Sequence, residues 1–152
     1  MIDKILIGAA CVMICLSDNV GTMSYISSLE ERISEYDVYL MAQTIKGEAD
    51  GCSRLQKEAV GWCIINRVEC EDYPGTISEV ILQPKQFQGY WLFKRPEPED
   101  IEIAREVITK WIHGEERTLP ARFLFFHSNG RGQNVFTTDH LKGEVWEYGG
   151  RD

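Results

Sequence analysis

Basic residues are scarce in this sequence. Its 152 residues include 16 Lys and Arg against 24 Asp and Glu, so the formal net charge is −8 and the pI is about 4.9. Nucleic-acid binders take much of their affinity from Lys and Arg side chains that neutralise phosphates. The composition therefore excludes a nucleic-acid partner. With 43% hydrophobic residues, a chain of this length can build one core but not two, so we predict a single domain.

The sequence also lacks the residue spacings that bind metals. Its histidines, His113, His127 and His140, form no HExxH or other close pattern, and no paired CxxC occurs. We therefore predict no metal and no cofactor. Among the cysteines, Cys63 and Cys70 would lie about 10 Å apart on one continuous helix, which is too far for a disulfide. These cysteines are expected to fill core space.

No apolar run in the sequence is long enough for a stable membrane span. The run from Ile5 to Leu16 covers 12 residues, which at about 1.5 Å per residue is shorter than the roughly 30 Å hydrocarbon core. A secretory signal fits it better, although a buried first helix is the alternative. We predict a signal peptide or signal anchor at 1–20, a linker at 21–34 and a folded domain at 35–150. The protein is then exported, to the cell envelope or beyond, with transient membrane association through the apolar segment.

The spacing of apolar residues indicates mostly helical structure. Val38, Met41, Ala42, Ile45 and Ala49 recur at helical intervals on the first predicted helix. The segment AVGWCII, residues 59 to 65, is apolar on every side, as in a central buried helix. We predict helices at 35–49, 54–69, 76–82 and 99–113, a loop at 84–98, and strands at 123–127 and 145–148. The fold class is therefore α+β with a small β element.

Glu48 is the first candidate for chemistry. It follows Ile45 by three residues and Met41 by seven, which places it at the edge of the apolar stripe, where it should be partly shielded. Desolvation disfavours a charged carboxylate and raises its pKa, so that the group can donate a proton near neutral pH. On position alone, a glutamate with an ordinary salt-bridge or capping role is the more common alternative.

Two further candidates come from the same kind of reasoning. Asn66 lies on an apolar helix face, where its amide needs either backbone partners or an acetamido group of a substrate. Cys52 precedes a helix amino terminus, where the helix dipole would lower the pKa of the thiol, and His127 could serve as its base. Cys52 and His127 together suggest a cysteine peptidase, although no third orienting residue is evident.

Several motifs, taken in order, resemble the SleB and CwlJ type of cell wall hydrolase domain. In that family a helix ends in Glu-Ala, a glycine-containing turn follows, and the next helix ends in Val-x-x-x-(Val/Ile)-x-Asn-Arg-Val. Here these elements are Glu48-Ala49 and the segment from Val60 to Val68. The segments TISEVILQPKQF, residues 76 to 87, and FLFFHSNG, residues 123 to 130, are similar to later parts of the domain. The resemblance covers about residues 36 to 148.

This resemblance implies a single, mostly helical, lysozyme-like domain with the β element beside the cleft, working as a monomer on peptidoglycan glycan strands. It also implies that Glu48 is the catalytic acid for the β-1,4 bond between N-acetylmuramic acid and N-acetylglucosamine. A lytic transglycosylase needs that one carboxylate, as acid and then as base. A hydrolytic muramidase usually needs a second one, for which Asp50 is the nearest candidate in the sequence but matches no family motif.

Substrate binding is expected from amides, aromatic rings and one histidine near this cleft. The six residues are Asn66, Gln86, Phe87, Tyr90, Trp91 and His127. Aromatic faces stack on sugar rings and amides bond to hydroxyl and N-acetyl groups, but packing in the core or loop is an equal alternative for the aromatic segment. Many family members have a further glutamate where this chain has Cys52. The two rival functions are a cysteine peptidase or amidase on wall peptides, using Cys52 and His127, and a wall-binding protein without catalysis.

Overall fold

The computed structural model describes residues 34–140 and 142–147. The predicted signal segment at 1–20 lies outside the described residues, as does the predicted linker apart from Ser34. The helices are α1 (Glu35–Glu48), α2 (Arg54–Glu69), α3 (Ile77–Leu82) and α4 (Pro98–His113), with a 3-10 turn at Tyr90–Leu92. No helix in these ranges is both long and apolar enough to cross a membrane.

Helix ends coincide with capping residues in the sequence. The hydroxyl of Ser34 accepts the backbone N–H of Asp37 at the start of α1. Ser53 caps α2 in the same way by accepting the N–H of Gln56. Each bond satisfies a donor that the first turn of a helix leaves unpaired. At its carboxyl end, α4 is followed by Gly114, which adopts a φ of 65°. A glycine reaches this value without steric cost.

Helix α2 forms the centre of the core, as its apolar sequence predicts. Trp62, Ile64 and Ile65 are at most 1% exposed, and α2 packs against α1, α3 and α4. A buried ion pair joins α2 to α4, since the ammonium of Lys57 lies 2.9 Å from a carboxylate oxygen of the fully buried Asp100. Helix α2 therefore connects the other three helices, through packing and through this ion pair.

The small sheet is antiparallel and has the order β1-β2-β3. Its strands are β1 (Phe125–Ser128), β2 (Asn134–Asp139) and β3 (Lys142–Val145). The α+β fold class is confirmed, but the strand prediction is partly wrong. The first strand begins two residues later than expected, β2 lies in a segment where no strand was predicted, and β3 ends where the last strand was expected to begin. The turn between β1 and β2 contains Gly130 and Gly132, both at positive φ. Because of these glycines, the segment did not show the pattern of a strand, and the hairpin was not predicted.

Candidate active site

A cleft of about 670 Å³ lies between the helices and the sheet. One side consists of the end of α1 and the loop that connects α3 to the 3-10 turn. The other side consists of β1 and the beginning of β2. Because the walls come from segments far apart in sequence, the cleft depends on the packing of the whole domain.

Glu48, the last residue of α1, faces this cleft and is half-buried. The backbone N–H of Gly89 donates to its Oε1 at 2.5 Å. Burial raises the pKa of Glu48, while the Gly89 N–H and the positive charge of Arg67 act in the opposite direction. Burial has the largest effect, so the net shift of the pKa is upward, while the Gly89 N–H and Arg67 are two groups that stabilise the anion.

The hydrogen bond to Glu48 depends on contact between two glycines. Gly47 and Gly89 approach so closely that a Cβ on either one would overlap the main chain of the other. A Cβ on Gly89 would also lie 2.9 Å from Cδ of Glu48. Only two residues without side chains can bring the loop backbone this near to the helix end. Sequence reasoning missed Gly89, although it lies within the Gln- and aromatic-rich segment that drew attention.

The sheet side holds the main chain of Glu48. The Asn134 side-chain amide donates to the carbonyl oxygen of Glu48 at 2.9 Å, which satisfies an acceptor at the end of α1. Asn134 is itself held by Gln56 of α2, whose side-chain amide donates to the Asn134 carbonyl and accepts its N–H, both at 3.3 Å. Neither amide was identified from the sequence, because their partners are 78 and 86 residues away.

Arg67 lies at the floor of the cleft and is only 4% exposed. Its guanidinium carbon lies 4.7 Å from the centroid of the Phe87 ring. It donates to the Leu124 carbonyl at 2.7 Å and to Oε1 of Gln86 at 3.1 Å. Arg67 therefore fixes the position of Gln86 at the cleft and brings a buried positive charge to the same site as Glu48.

Asp50 lines the cleft and is, among the described lining residues, the one other carboxylate. It forms ion pairs with Lys46 at 2.8 Å and Lys94 at 2.9 Å. Hydrogen bonds from these two lysines lower the pKa of Asp50 to about 2. The carboxylate is therefore ionised and its charge is already balanced by two ammonium groups.

The six predicted substrate-binding residues lie in different environments. Gln86 and His127 line the cleft together with Glu48. Asn66 is 2% exposed, and its amide donates to the carbonyls of Pro120 and Phe123, so that its contacts match the packing alternative.

The three aromatic candidates do not line the cleft. Phe87 is fully buried and its ring stacks against the Arg67 guanidinium. Its ring therefore has no free face for a sugar. Tyr90 and Trp91 lie in the 3-10 turn, outside the described lining, and Trp91 is 47% exposed. The predicted aromatic wall is therefore divided between the core and the outer surface.

Cys52 does not have the properties of an activated nucleophile. Burial raises the pKa of its thiol above the ordinary value, against the lowering that a helix amino terminus was expected to give. The Sγ donates to the carbonyl of Gly132 at 3.2 Å, a bond that requires the protonated thiol. Cys52 and His127 line the same cleft, but the thiolate on which the peptidase hypothesis depends is disfavoured.

Comparison with known proteins gives consistent similarities. The family model described as Cell Wall Hydrolase matches residues 51–149, a range that begins three residues after Glu48. A spore cortex-lytic enzyme of Oceanobacillus iheyensis is 30% identical over 82% of this chain and 44% of its own length. Cell wall hydrolase CwlJ of Bacillus subtilis is 33% identical over 66% of this chain and 72% of its own length.

A spore cortex-lytic enzyme of Bacillus cereus is 29% identical over 72% of this chain and 42% of its own length. The chain thus spans less than half the length of the curated spore cortex-lytic enzymes it matches. The crystal structure of the catalytic domain of the Bacillus cereus SleB protein aligns with a TM-score of 0.56 at 24% identity, covering 68% of this chain and 90% of that one. This structural likeness concerns the fold.

Proposed function

Because this chain belongs to the cell wall hydrolase family, we propose that it cleaves the glycan strands of peptidoglycan, with Glu48 as the catalytic acid. The bond is the β-1,4 link between N-acetylmuramic acid and N-acetylglucosamine. The observation that carries this proposal is the half-buried carboxyl of Glu48, which faces the cleft with its pKa raised by burial. A carboxyl that keeps its proton can protonate the leaving oxygen of a glycosidic bond.

The second half of the reaction uses the same residue. Once Glu48 has given its proton to the departing sugar oxygen, the resulting carboxylate accepts the N–H of Gly89 and lies in the field of Arg67. The muramoyl C6 hydroxyl then attacks the anomeric carbon and gives its proton back to Glu48. The products are a 1,6-anhydro-muramoyl end and a free hydroxyl on the other sugar, and the enzyme returns to its starting protonation state.

The state of Asp50 favours this single-acid route over hydrolysis. A carboxylate that acts as nucleophile or base must be free to approach the sugar or a water. Asp50 instead pairs with both Lys46 and Lys94, and the low pKa of a doubly paired carboxylate makes it a weak base. We therefore assign the reaction to the lytic transglycosylase type.

Mass spectrometry of digested peptidoglycan tests the proposal directly. Anhydro-muramoyl ends are expected, whereas reducing muramoyl ends would indicate hydrolysis and freed peptides would indicate a peptidase or amidase. Glu48→Gln should lower the rate by about a thousandfold, within the range for loss of a general acid. Asp50→Asn and Cys52→Ser should each retain activity within about threefold. Binding to sacculi without any soluble product would instead support the non-catalytic alternative.

This function also sets where the protein must work. Peptidoglycan lies outside the cytoplasmic membrane, so we propose that the protein is exported by the segment at residues 1–20 and acts in the envelope as a monomer. The segment provides a transient contact with the membrane. Cell fractionation measures the location, and a full-length protein confined to the cytoplasm would contradict this part of the proposal.

A further inference from the structure

The charge of the cleft is opposite to that of the whole protein. The chain has a formal net charge of −8, yet the described lining includes three permanent cations, Arg67, Lys85 and Lys94, against Glu48 and Asp50. When Glu48 holds its proton, as catalysis requires, the balance becomes more positive. A cleft of opposite sign concentrates ligands of the complementary charge, which here is negative.

Lys85 is the cation of the cleft lining whose presence the rest of the protein explains least. Its side chain is exposed, and no carboxylate of residues 34–140 or 142–147 lies at ion-pair distance from its ammonium. Its backbone has a φ of 65°, in the left-handed region that non-glycine residues rarely adopt. Such strain persists where the surroundings enforce it and is concentrated at functional sites. Lys94, by contrast, is paired with Asp50.

Arg67 is the second cation in this cleft without a carboxylate partner in the described chain. Its two hydrogen bonds go to neutral acceptors, the Leu124 carbonyl and the Gln86 amide oxygen. Gln86 directly follows Lys85 in the chain, so the Arg67 bond to Gln86 also anchors the backbone next to Lys85. A buried positive charge is costly unless a negative group balances it. Within the protein, the anionic form of Glu48 offsets the charge of Arg67. Lys85 is therefore the cation whose charge is left for a negative group from outside the described chain.

We infer that Lys85 binds a carboxylate of the glycan strand and makes the cleft selective for anionic over neutral strands. This inference rests on the proposed function and names a specificity-determining residue for it. The lactyl group of N-acetylmuramic acid ends in a carboxyl, which is free in a bare strand and carries an acidic peptide in an intact one. A neutral chitin-like strand offers neither source of charge.

Three preparations of the same glycan strands separate the sources of negative charge. The first retains the stem peptides, the second has them removed to leave free lactyl carboxylates, and the third has those carboxylates coupled to methylamine. We expect the full-length wild-type chain to prefer a charged strand over the amidated one by about fivefold in kcat/KM, a size typical of one exposed ion pair. The preference should shrink as salt is added. A preference confined to strands with peptides would identify the peptide as the source.

Variants of lysine assign this preference to one position. Lys85→Gln should reduce it to less than twofold, mainly through KM, while Lys85→Arg should retain it. Lys142→Gln is the matched control, because Lys142 is exposed on β3 and outside the described cleft lining, and it should behave as wild type. Retention of the full preference by Lys85→Gln, or no preference in wild type, would overturn the inference.

Binding by the Glu48→Gln variant distinguishes this inference from the proposed function. Its affinity for the charged and amidated strands can be measured by fluorescence anisotropy, with and without Lys85→Gln. A preference that depends on Lys85, without cleavage by the wild type, would support the inference and overturn the proposed function. Equal cleavage of all three strands would overturn the inference and leave the proposed function standing. Absence of binding to any strand would overturn the inference.

Discussion

The helical side of the cleft and its sheet side hold Glu48 by different kinds of contact. On the helical side, the Gly47 and Gly89 backbones touch, and the Gly89 N–H reaches the carboxyl itself. On the sheet side, one amide of Asn134 reaches the main-chain carbonyl of Glu48 and leaves the carboxyl untouched. The first side therefore contacts the carboxyl and lowers its pKa against the larger effect of burial, and the second holds the main chain at the end of α1.

This difference determines how each side should respond to mutation. A backbone contact between two glycines cannot adapt to a side chain, because the atoms in the way belong to the main chain of a helix. A single amide hydrogen bond can be lost while the strands and helices around it keep their positions. We expect larger losses of activity from the helical side than from the sheet side.

Gly89→Ala is the strongest test of the helical side. The new Cβ would lie 2.5 Å from the backbone nitrogen of Glu48 and 2.9 Å from its Cδ, so the loop must move away and the N–H bond is lost. Because a displacement of about 1 Å can cost a hundredfold in rate, we expect kcat to fall by about that factor. The alkaline limb of the pH profile should also move upward, since the N–H of Gly89 lowers the pKa of Glu48.

Gly130→Ala provides the control for this substitution. Gly130 has a positive φ but open space around its Cβ position, so alanine there strains the backbone without touching Glu48. We expect a loss of stability of about 1 kcal/mol and nearly unchanged kcat. A Gly89→Ala enzyme with wild-type kcat and pH profile would contradict the role given to the helical side.

Asn134→Ala tests the sheet side. The variant leaves the Glu48 carbonyl without its donor, at a cost of about 1–3 kcal/mol in the free energy of unfolding. We expect kcat to fall by only about tenfold, with the pH profile unchanged, because the carboxyl keeps its contact with Gly89. Steady-state kinetics and urea unfolding measure the two effects separately.

Gln56→Ala sharpens the same test. It removes the bonds that fix the Asn134 backbone but spares the Asn134 amide on Glu48. A similar loss of stability with a smaller loss of kcat is expected. If the two variants lowered kcat equally, the sheet side would be serving the stability of the fold rather than the position of Glu48.

The elements that carry this comparison differ in how far the sequence predicts them. The position of Glu48 follows from the 3.6-residue period of α1, and the burial of α2 follows from a segment that is apolar on all sides. Ser53 marks the start of α2 through the short range of its capping bond. These signals are local, and each is confirmed in the structure.

The contacts that form the site are long-range, and the sequence has no local pattern for them. Gly89 bonds to a residue 41 positions away, and Asn134 to one 86 positions away. Phe87 and Trp91 are only four residues apart, but Phe87 lies in the core and Trp91 lies on the surface. Composition could identify the aromatic segment but not which ring is buried, because the Phe87 ring packs against Arg67 of another element.

The pH dependence of stability offers the smallest and most specific test of the helical side. Burial holds the pKa of Glu48 above its ordinary value, so the folded state binds this proton more tightly than the unfolded state does. The associated stability is fully present below the unfolded pKa and is lost as pH rises through the raised folded pKa. Glu48→Gln has no proton to lose there, so it should gain stability relative to wild type across that window. A tenfold difference in proton affinity between the two states corresponds to about 1.4 kcal/mol.

Glu144 supplies the opposite sign for comparison. A hydrogen bond from Arg122 lowers the pKa of this exposed carboxylate, so its contribution is present above the unfolded pKa and is lost as pH falls. In urea unfolding from pH 4 to pH 8, Glu48→Gln should therefore gain on wild type with rising pH, whereas Glu144→Gln should fall slightly behind it. If Glu48→Gln instead lost stability as pH rose, the Gly89 N–H and Arg67 would outweigh burial, and Glu48 would be ionised when it meets its substrate.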